Sequence, residues 1–159
     1  MIRASTSSDT ERIAQILDAA FIPSTYESKI AIEALSANFE SHAWVIENQS
    51  EVIGFILYTP AWRENTAIGL HLAPIAIHPD HQGKGFGSEL IAKTLDADPI
   101  LPKAIFVLGD PSYYERFGFQ SVKNPVCPFD CNNQHFRALR WVDDGNLFEV
   151  GYHPIFSEG

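Results

Sequence analysis

The fold of this chain is decided by residues 75–88, which read Ile75-Ala76-Ile77-His78-Pro79-Asp80-His81-Gln82-Gly83-Lys84-Gly85-Phe86-Gly87-Ser88. An apolar, β-branched run stops at a Pro-Asp turn, and a glycine-spaced segment leads into a helical apolar pattern that begins at Leu90. Glycine at every second position lets the backbone approach a ligand without side-chain clashes. The unpaired N–H groups of the new helix favour an anion, and Lys84 adds positive charge. The stretch therefore predicts a strand, a pyrophosphate-binding loop and a helix.

Two well-known phosphate-binding patterns do not fit this loop. The dinucleotide pattern G-x-G-x-x-G fails because Ser88 stands where the last glycine would fall. The P-loop pattern fails because His78 stands at its first glycine and Gly85 follows the lysine. A glycine-rich loop ahead of an ordinary core helix remains as the alternative interpretation.

A second informative segment follows the predicted strand Ile105–Leu108. Gly109-Asp110-Pro111 breaks that strand, and residues 112–119 read Ser-Tyr-Tyr-Glu-Arg-Phe-Gly-Phe. The two segments together resemble the GNAT acetyltransferases, whose signature Gln/Arg-x-x-Gly-x-Gly/Ala is matched by residues 82–87. GNAT enzymes also carry Tyr-x-x-x-Gly-Phe on a short helix, with the tyrosine beside the CoA sulfur, and Tyr114 stands at that position.

The resemblance extends to the YhbS-like branch of predicted acetyltransferases. The Gly-Asp-Pro-x-Tyr-Tyr-x-Arg-Phe-Gly-Phe form is typical of that branch, and residues 151–156 resemble its closing segment with a somewhat offset spacing. The chain departs from the wider family at Val107, where an asparagine usually begins a longer helix. The entrance to the tyrosine helix is therefore expected to be short.

The resemblance implies an α+β fold and a cosubstrate. The fold is a central twisted mixed sheet with splayed fourth and fifth strands and helices on both faces, and the cosubstrate is acetyl-CoA. The backbone of Ile75 and Ile77 is implied to contact the pantetheine amides, and the Ile75 N–H to face the thioester carbonyl as an oxyanion donor. The cofactor-binding residues are then Ile75, Ala76, Ile77, Gln82, Gly83, Lys84, Gly85, Phe86, Gly87 and Ser88.

Pro74 indicates an irregular fourth strand. A proline cannot donate to a strand ladder, so prolines in strands mark edges or bulges. GNAT proteins have a bulge here, where the pantetheine arm enters between the splayed strands. The bulge is the favoured interpretation, and an edge position is the alternative.

The resemblance also points to catalytic residues. Tyr114 is the candidate acid that faces the leaving thiolate, with the adjacent Tyr113 as a core aromatic residue. His71 lies four residues before Ile75, where some GNAT members carry a glutamate or histidine base, and its ordinary pKa near 6.5 suits that role. A structural histidine, with water removing the proton from the amine, is the alternative.

Composition narrows the class of protein. The chain has 159 residues, 45% of them hydrophobic, and a net charge of −9, which suits one domain over residues 1–159 and argues against nucleic acid. No apolar run is long enough for a membrane span, and no secretory signal is evident. Only Cys127 and Cys131 are present, without zinc spacing, so reduced thiols, no metal and a cytoplasmic location are expected.

The other predicted elements alternate without a linker or a repeat. Ser8 and Glu11 form a capping box before a first helix that Pro23 ends. A second helix covers residues 26–35. Strands are predicted at residues 2–4, 43–47, 52–59, 69–77, 136–141 and 147–152.

Two classes of function remain open. The first is an N-acetyltransferase in which a primary amine of a small molecule, peptide or protein attacks the thioester of acetyl-CoA, or of a longer acyl-CoA, directly. The second is a non-catalytic acyl-CoA-binding sensor or scaffold. Tyr114 favours the enzyme. The acceptor is expected at residues 21–39 and 58–67, which carry no recognisable motif, and a homodimer is compatible with either class.

Overall fold

A computed structural model describes residues 1–36 and 40–157. The strands are β1 (Ile2–Ala4), β2 (His42–Asn48), β3 (Glu51–Arg63), β4 (Thr66–Ile77), β5 (Ile105–Leu108), β6 (Gln120–Ser121) and β7 (Phe136–Leu139). The helices are α1 (Thr10–Ala20), α2 (Tyr26–Ser36), α3 (Phe86–Leu95) and α4 (Pro111–Glu115).

The described strands form one sheet in the order β1-β2-β3-β4-β5-β7-β6. Strands β4 and β5 are parallel, and the other neighbours are antiparallel. The predicted α+β fold with a mixed sheet is confirmed. No described helix is long and apolar enough to cross a membrane.

Strand β3 explains why helices lie on both faces of the sheet. Its side chains alternate, so that Phe55 and Leu57 pack with the core under α1 and α2, whereas Ile56 and Tyr58 pack with the core under α3. All four side chains are fully buried. Each such side chain stabilises the fold by about 1.5–3 kcal/mol through burial, so both helical layers are anchored on one strand.

The predicted irregularity at Pro74 is a bulge. Ile56 of β3 pairs with Ile75 of β4, and Tyr58 pairs with Leu72. One β3 residue therefore lies opposite two β4 residues, one of them Pro74. The bulge bends β4 just before the segment that was predicted to contact the cofactor.

Strands β4 and β5 separate beyond a short parallel ladder. Leu70 pairs with Ile105 and His71 pairs with Phe106, and within the described ranges no further pair forms between the two strands. Because β4 bulges directly after this ladder, its last residues diverge from β5. The predicted splay is confirmed, and it opens a gap in the sheet.

The start of α1 differs from the prediction. The capping box of Ser8 and Glu11 is wrong; Thr6 and Asp9 form one instead, at a 3₁₀ turn that leads into α1. The Thr6 N–H donates to Asp9 Oδ2 at 2.8 Å, and Arg3 Nη1 donates to the same oxygen at 2.8 Å. Asp9 takes the capping position because Arg3 on β1 pairs with its carboxylate. The same cation lowers the pKa of Asp9 to about 2.

The predicted strand over residues 147–152 is not continuous. The Phe148 N–H donates to Asn124 Oδ1 at 3.0 Å, whereas the Gly151 N–H donates to Trp62 O at 2.7 Å. The segment bonds two different parts of the chain in turn, so its alternating apolar residues do not produce one strand.

Strand β7 ends at Leu139 rather than at residue 141. Arg140 has a φ of +59°, which breaks the extended backbone, and its guanidinium donates to Leu95 O at 2.9 Å. The short strand β6, which pairs with β7, is not among the strands predicted from the sequence.

Candidate active site

The glycine-spaced loop leads into a helix N-terminus with unpaired N–H groups. Gly83 and Gly85 have φ values of +76° and +86°, and Gly85 is the N-cap of α3. The Glu89 N–H donates to Gly85 O at 3.0 Å, so the N–H groups of residues 86–88 have no partner within the helix. A Cβ at either glycine would meet nothing within 4 Å, so the loop is open to a ligand. This arrangement favours an anion.

Side chains fix the rest of the loop. Gln82 Nε2 donates to Ile77 O at 2.9 Å, which ties the loop to the end of β4. Phe86 is half-buried and packs against the core under α3, whereas Lys84 is exposed and available to a ligand. The loop therefore combines a fixed backbone with one free cation.

Tyr113 joins this loop to α4. Its hydroxyl lies 3.1 Å from Ser88 Oγ, and the Arg116 guanidinium lies 4.4 Å from the centre of its ring. Tyr113 was predicted as the core aromatic residue, but it is only half-buried. Its hydrogen bond couples the positions of α3 and α4.

Two neighbouring cavities lie beside the bulged half of β4. The smaller, of about 310 Å³, lies between the end of α1, the end of β4 and the start of α3. The larger, of about 680 Å³, lies in the gap between β4 and β5. Phe21 and Ile75 line both cavities, so the two adjoin and connect the loop with the gap.

The larger cavity is mostly aromatic and aliphatic. Its polar lining side chains are His71, Glu27 and the tyrosines. Its rings are those of Phe21, Tyr26, Phe106, Tyr114, Phe129, Tyr152 and Phe156, besides the His71 imidazole.

Tyr114 lines the larger cavity from α4. Its ring packs so closely on Gly109 that a Cβ there would lie 2.6 Å from Tyr114 Cε2. Asp110 caps the helix, since its Oδ1 accepts from the Ser112 N–H at 3.1 Å. Burial raises the pKa of Tyr114 to about 12, so its hydroxyl keeps its proton at neutral pH.

His71 lines the same cavity from β4 and is 2% exposed. Its Nε2 lies 3.0 Å from Gly151 O, so Nε2 is the donor and Nδ1 carries the lone pair. The imidazole stacks on the Tyr152 ring with centres 3.6 Å apart. Burial lowers the pKa of His71 to about 4, so the ring is neutral at pH 7.

The structure brings some predicted site residues together and separates others. Tyr114, His71 and Ile75 line the larger cavity. Four more line the smaller cavity, namely Ala76, Ile77, Gln82 and Gly87. The rest lie in the loop or the first turn of α3 and line neither cavity: Gly83, Lys84, Gly85, Phe86 and Ser88.

The walls of the larger cavity were only partly predicted. Of the first segment predicted to form the acceptor site, residues 21–36 contribute Phe21 and Glu27 to the lining of this cavity, and residues 37–39 lie outside the described part of the chain. None of residues 58–67 lines the cavity. Phe129 and Tyr152 line the cavity instead. The sequence indicated Tyr152 only as part of the closing segment.

The cysteines lie near this wall but form no disulfide. Cys127 is buried, with its Sγ 3.5 Å from the Tyr152 hydroxyl, and Cys131 is exposed. Among the described residues, no group of three or more histidine, cysteine or acidic side chains could hold a metal ion.

A mixed sheet with splayed β4 and β5, and a helix N-terminus with N–H groups unpaired within the helix beside the gap, are the features of the GNAT acetyltransferase fold. Residues 39–121, just over half of the chain, match the family described as the acetyltransferase (GNAT) domain. The chain belongs to this family.

Relatives support the same assignment. The Escherichia coli K12 protein named N-acetyltransferase YhbS is 27% identical over 118 residues, which cover 70% of this chain and 71% of the relative. The crystal structure of E. coli YhbS with CoA has a TM-score of 0.87 at 25% identity, covering 99% of this chain and 91% of that one. A Brucella melitensis GNAT acetyltransferase solved with acetyl-CoA has a TM-score of 0.81 at 27% identity, covering 98% of this chain and 97% of that one. The resemblance to YhbS-like GNAT enzymes is confirmed.

Proposed function

We propose that this chain transfers an acetyl group from acetyl-CoA to a primary amine by direct attack of the amine on the thioester. The observation that carries the proposal is the continuous path from the α3 N-terminus, along the bulged half of β4, to Tyr114 and His71. The YhbS and Brucella structures, which share the whole fold, hold CoA and acetyl-CoA respectively.

The cofactor follows this path in the proposal. The pyrophosphate binds the N–H groups of residues 86–88, with Lys84 as an additional cation. The pantetheine arm lies along the smaller cavity beside Ala76 and Ile77. The thioester then reaches the larger cavity, where the Ile75 N–H faces its carbonyl oxygen.

The chemistry breaks one C–S bond and forms one C–N bond. The amine nitrogen attacks the thioester carbon, and the sulfur leaves with its electron pair while Tyr114 donates a hydrogen bond to it. Full proton transfer from a phenol of pKa about 12 to a thiolate of ordinary pKa about 8.5 is uphill by about 5 kcal/mol. Tyr114 therefore stabilises the thiolate chiefly as a hydrogen-bond donor.

His71 is the proposed proton acceptor, with water as the alternative. Its low pKa keeps a lone pair available at neutral pH, but makes it a weak base towards a free ammonium ion. The amine nitrogen becomes much more acidic once it has attacked the carbonyl carbon. We therefore propose that the ammonium ion loses its first proton to water before attack. His71 then accepts the proton that the nitrogen releases after attack, and this proton passes to the leaving thiolate.

The cofactor site is tested with a matched pair of glycine variants. Gly85 and Gly145 have nearly equal φ values, +86° and +84°, and a Cβ at either meets nothing within 4 Å. Gly85→Ala and Gly145→Ala therefore carry the same backbone strain, about 1–2 kcal/mol. Calorimetry is expected to show at least tenfold weaker acetyl-CoA binding for Gly85→Ala alone. Equal affinities of the two variants would contradict the proposed pyrophosphate site.

Catalysis is tested by thiol release from acetyl-CoA with a panel of primary amines. Amine-dependent release with formation of the N-acetyl product supports the transferase. Tight acetyl-CoA binding without release for any amine would support the alternative, a binding module.

A further inference from the structure

The acceptor side of the larger cavity is walled by rings from distant parts of the chain. Phe21 and Tyr26 come from the α1–α2 region, and Phe129, Tyr152 and Phe156 from the last third. The Phe129 ring lies edge-on to Tyr152, with centres 4.9 Å apart, and Tyr152 contacts Phe156 at 5.6 Å. Together these side chains form one aromatic wall of the cavity.

The tyrosine hydroxyl groups in this wall are already bonded to other protein groups. The Tyr26 hydroxyl donates to Phe156 O at 2.7 Å, and the Tyr152 hydroxyl lies 3.5 Å from Cys127 Sγ. A polyol or sugar in this cavity would lose water without gaining matching hydrogen bonds. The wall therefore favours an apolar acceptor body.

The rim of the cavity is apolar as well. Leu108 and Phe129 line the cavity and remain 41% and 52% exposed. An apolar molecule that covers them would gain about 25 cal/mol for each Å² removed from water. The apolar surface thus continues from the wall to the opening.

Among the described lining residues, Glu27 is the one carboxylate and none is a lysine or an arginine. It is half-buried in the first turn of α2, and its Oε1 accepts from the Ser24 hydroxyl at 2.8 Å. The cavity therefore carries one fixed negative charge. It attracts a single cation and repels a carboxylate.

We infer that the acceptor is a monoamine on an apolar, aromatic-sized body without a carboxylate, with Glu27 drawing in its ammonium group. The inference rests on the proposed function and narrows its substrate class. An amino acid would bring its carboxylate into a cavity without a cation. A polyamine would bring several ammonium groups to a cavity with one carboxylate among its described lining residues. An amino sugar would have too few hydrogen-bond partners there.

The test compares four probes in thiol release from acetyl-CoA: 2-phenylethylamine, phenylalanine, spermidine and glucosamine. We expect kcat/KM for 2-phenylethylamine to exceed that of each other probe at least tenfold. Phenylalanine is the sharpest comparison, since it differs only by a carboxylate. Equal or faster turnover of any other probe overturns the inference and leaves the transferase proposal intact.

Glu27→Gln keeps the size of the side chain and its bond to Ser24 but removes the charge. It is expected to raise KM for 2-phenylethylamine at least tenfold without changing acetyl-CoA affinity. Glu33→Gln, on the exposed side of the same helix, is the matched control and should change neither. An unchanged KM in Glu27→Gln overturns the role of Glu27.

A binding measurement separates this inference from the reaction. If no amine releases thiol, calorimetric titration of 2-phenylethylamine into the CoA-bound protein still tests the cavity. Binding that weakens in Glu27→Gln supports the inference, and no detectable binding overturns it.

Discussion

The hydroxyl groups in the larger cavity have different partners. Tyr26 and Tyr152 direct theirs to Phe156 O and Cys127 Sγ. Tyr114 differs, because none of the described residues forms a hydrogen bond with its hydroxyl. A hydroxyl that lines the cavity and has no hydrogen-bond partner among the described residues is available to a ligand atom.

Replacing Tyr114 with phenylalanine tests that role. Tyr114→Phe should lower kcat roughly 10²-fold, because the leaving thiolate loses its donor, while acetyl-CoA affinity stays the same. Steady-state thiol release at saturating acetyl-CoA gives the first quantity, and calorimetry gives the second.

Tyr58→Phe is the matched control for this substitution. Tyr58 is fully buried and lines neither cavity, and its hydroxyl lies 2.8 Å from Thr94 Oγ1. It should lose about 1 kcal/mol of stability and no turnover. Equal turnover of Tyr114→Phe and the unmodified protein would remove Tyr114 from the mechanism.

Residue-level prediction from sequence succeeds where the chemistry is local. Gly83 and Gly85 lie directly before a helix N-terminus, as their spacing predicts, and the structure adds that both have positive φ values. Phe129 could not be predicted, because it meets Tyr152 only through the tertiary fold. The same holds for Asp9, which replaces the predicted cap because Arg3 arrives from β1.

At the scale of elements, a side-chain hydrogen bond links α3 to α4. The Ser88–Tyr113 hydrogen bond links the first turn of α3, which faces the proposed pyrophosphate, to the helix that carries Tyr114. Ser88 and Tyr113 thus position neighbouring elements of the site.

A double-mutant cycle tests this coupling. Ser88→Ala and Tyr113→Phe should each weaken acetyl-CoA binding about fivefold. This change corresponds to the loss of one hydrogen bond that contributes about 1 kcal/mol. The double variant should lose little more than either single one, because both remove the same bond. Calorimetric affinities that fall additively would contradict the coupling.

Element-level prediction failed where backbone groups are shared among distant partners. Strands β3 and β4 were both predicted, but β3 continues to Arg63 beyond the predicted end at residue 59, and β4 begins at Thr66 rather than at residue 69. Residues 147–152 bond Asn124 and then Trp62, and neither partner follows from the local sequence. Pro74 was an exception, because a proline restricts pairing wherever it stands.

At the scale of the whole molecule, Arg3 joins the first strand to two other parts of the chain. Its guanidinium forms a bidentate ion pair with the Asp9 carboxylate, with Nη1–Oδ2 at 2.8 Å and Nη2–Oδ1 at 2.9 Å. It also pairs with Glu47 on β2. Asp9 is 5% exposed, and its pKa lies near 2 rather than at its ordinary 3.8. Because the folded state favours the charged carboxylate, this stability is present above about pH 4 and is lost as the pH falls towards 2.

Asp9→Asn should therefore lower the free energy of unfolding by about 2 kcal/mol at pH 7. The difference from the unmodified protein should shrink as the pH is lowered towards 2. Urea unfolding over this pH range measures it, with Asp98→Asn at an exposed site as the control. A difference that does not depend on pH would show that Asp9 acts through packing rather than charge.

The two adjoining cavities share only Phe21 and Ile75 among their described lining residues. The proposed cofactor site relies largely on backbone groups, whereas the proposed acceptor site is built from side chains. Enzyme engineering can therefore treat the two as nearly independent modules. Substitutions at Glu27, Phe129 and Tyr152 should change which amine is accepted with little loss of cofactor affinity. Substitutions at Phe21 would change both the amine preference and the cofactor affinity.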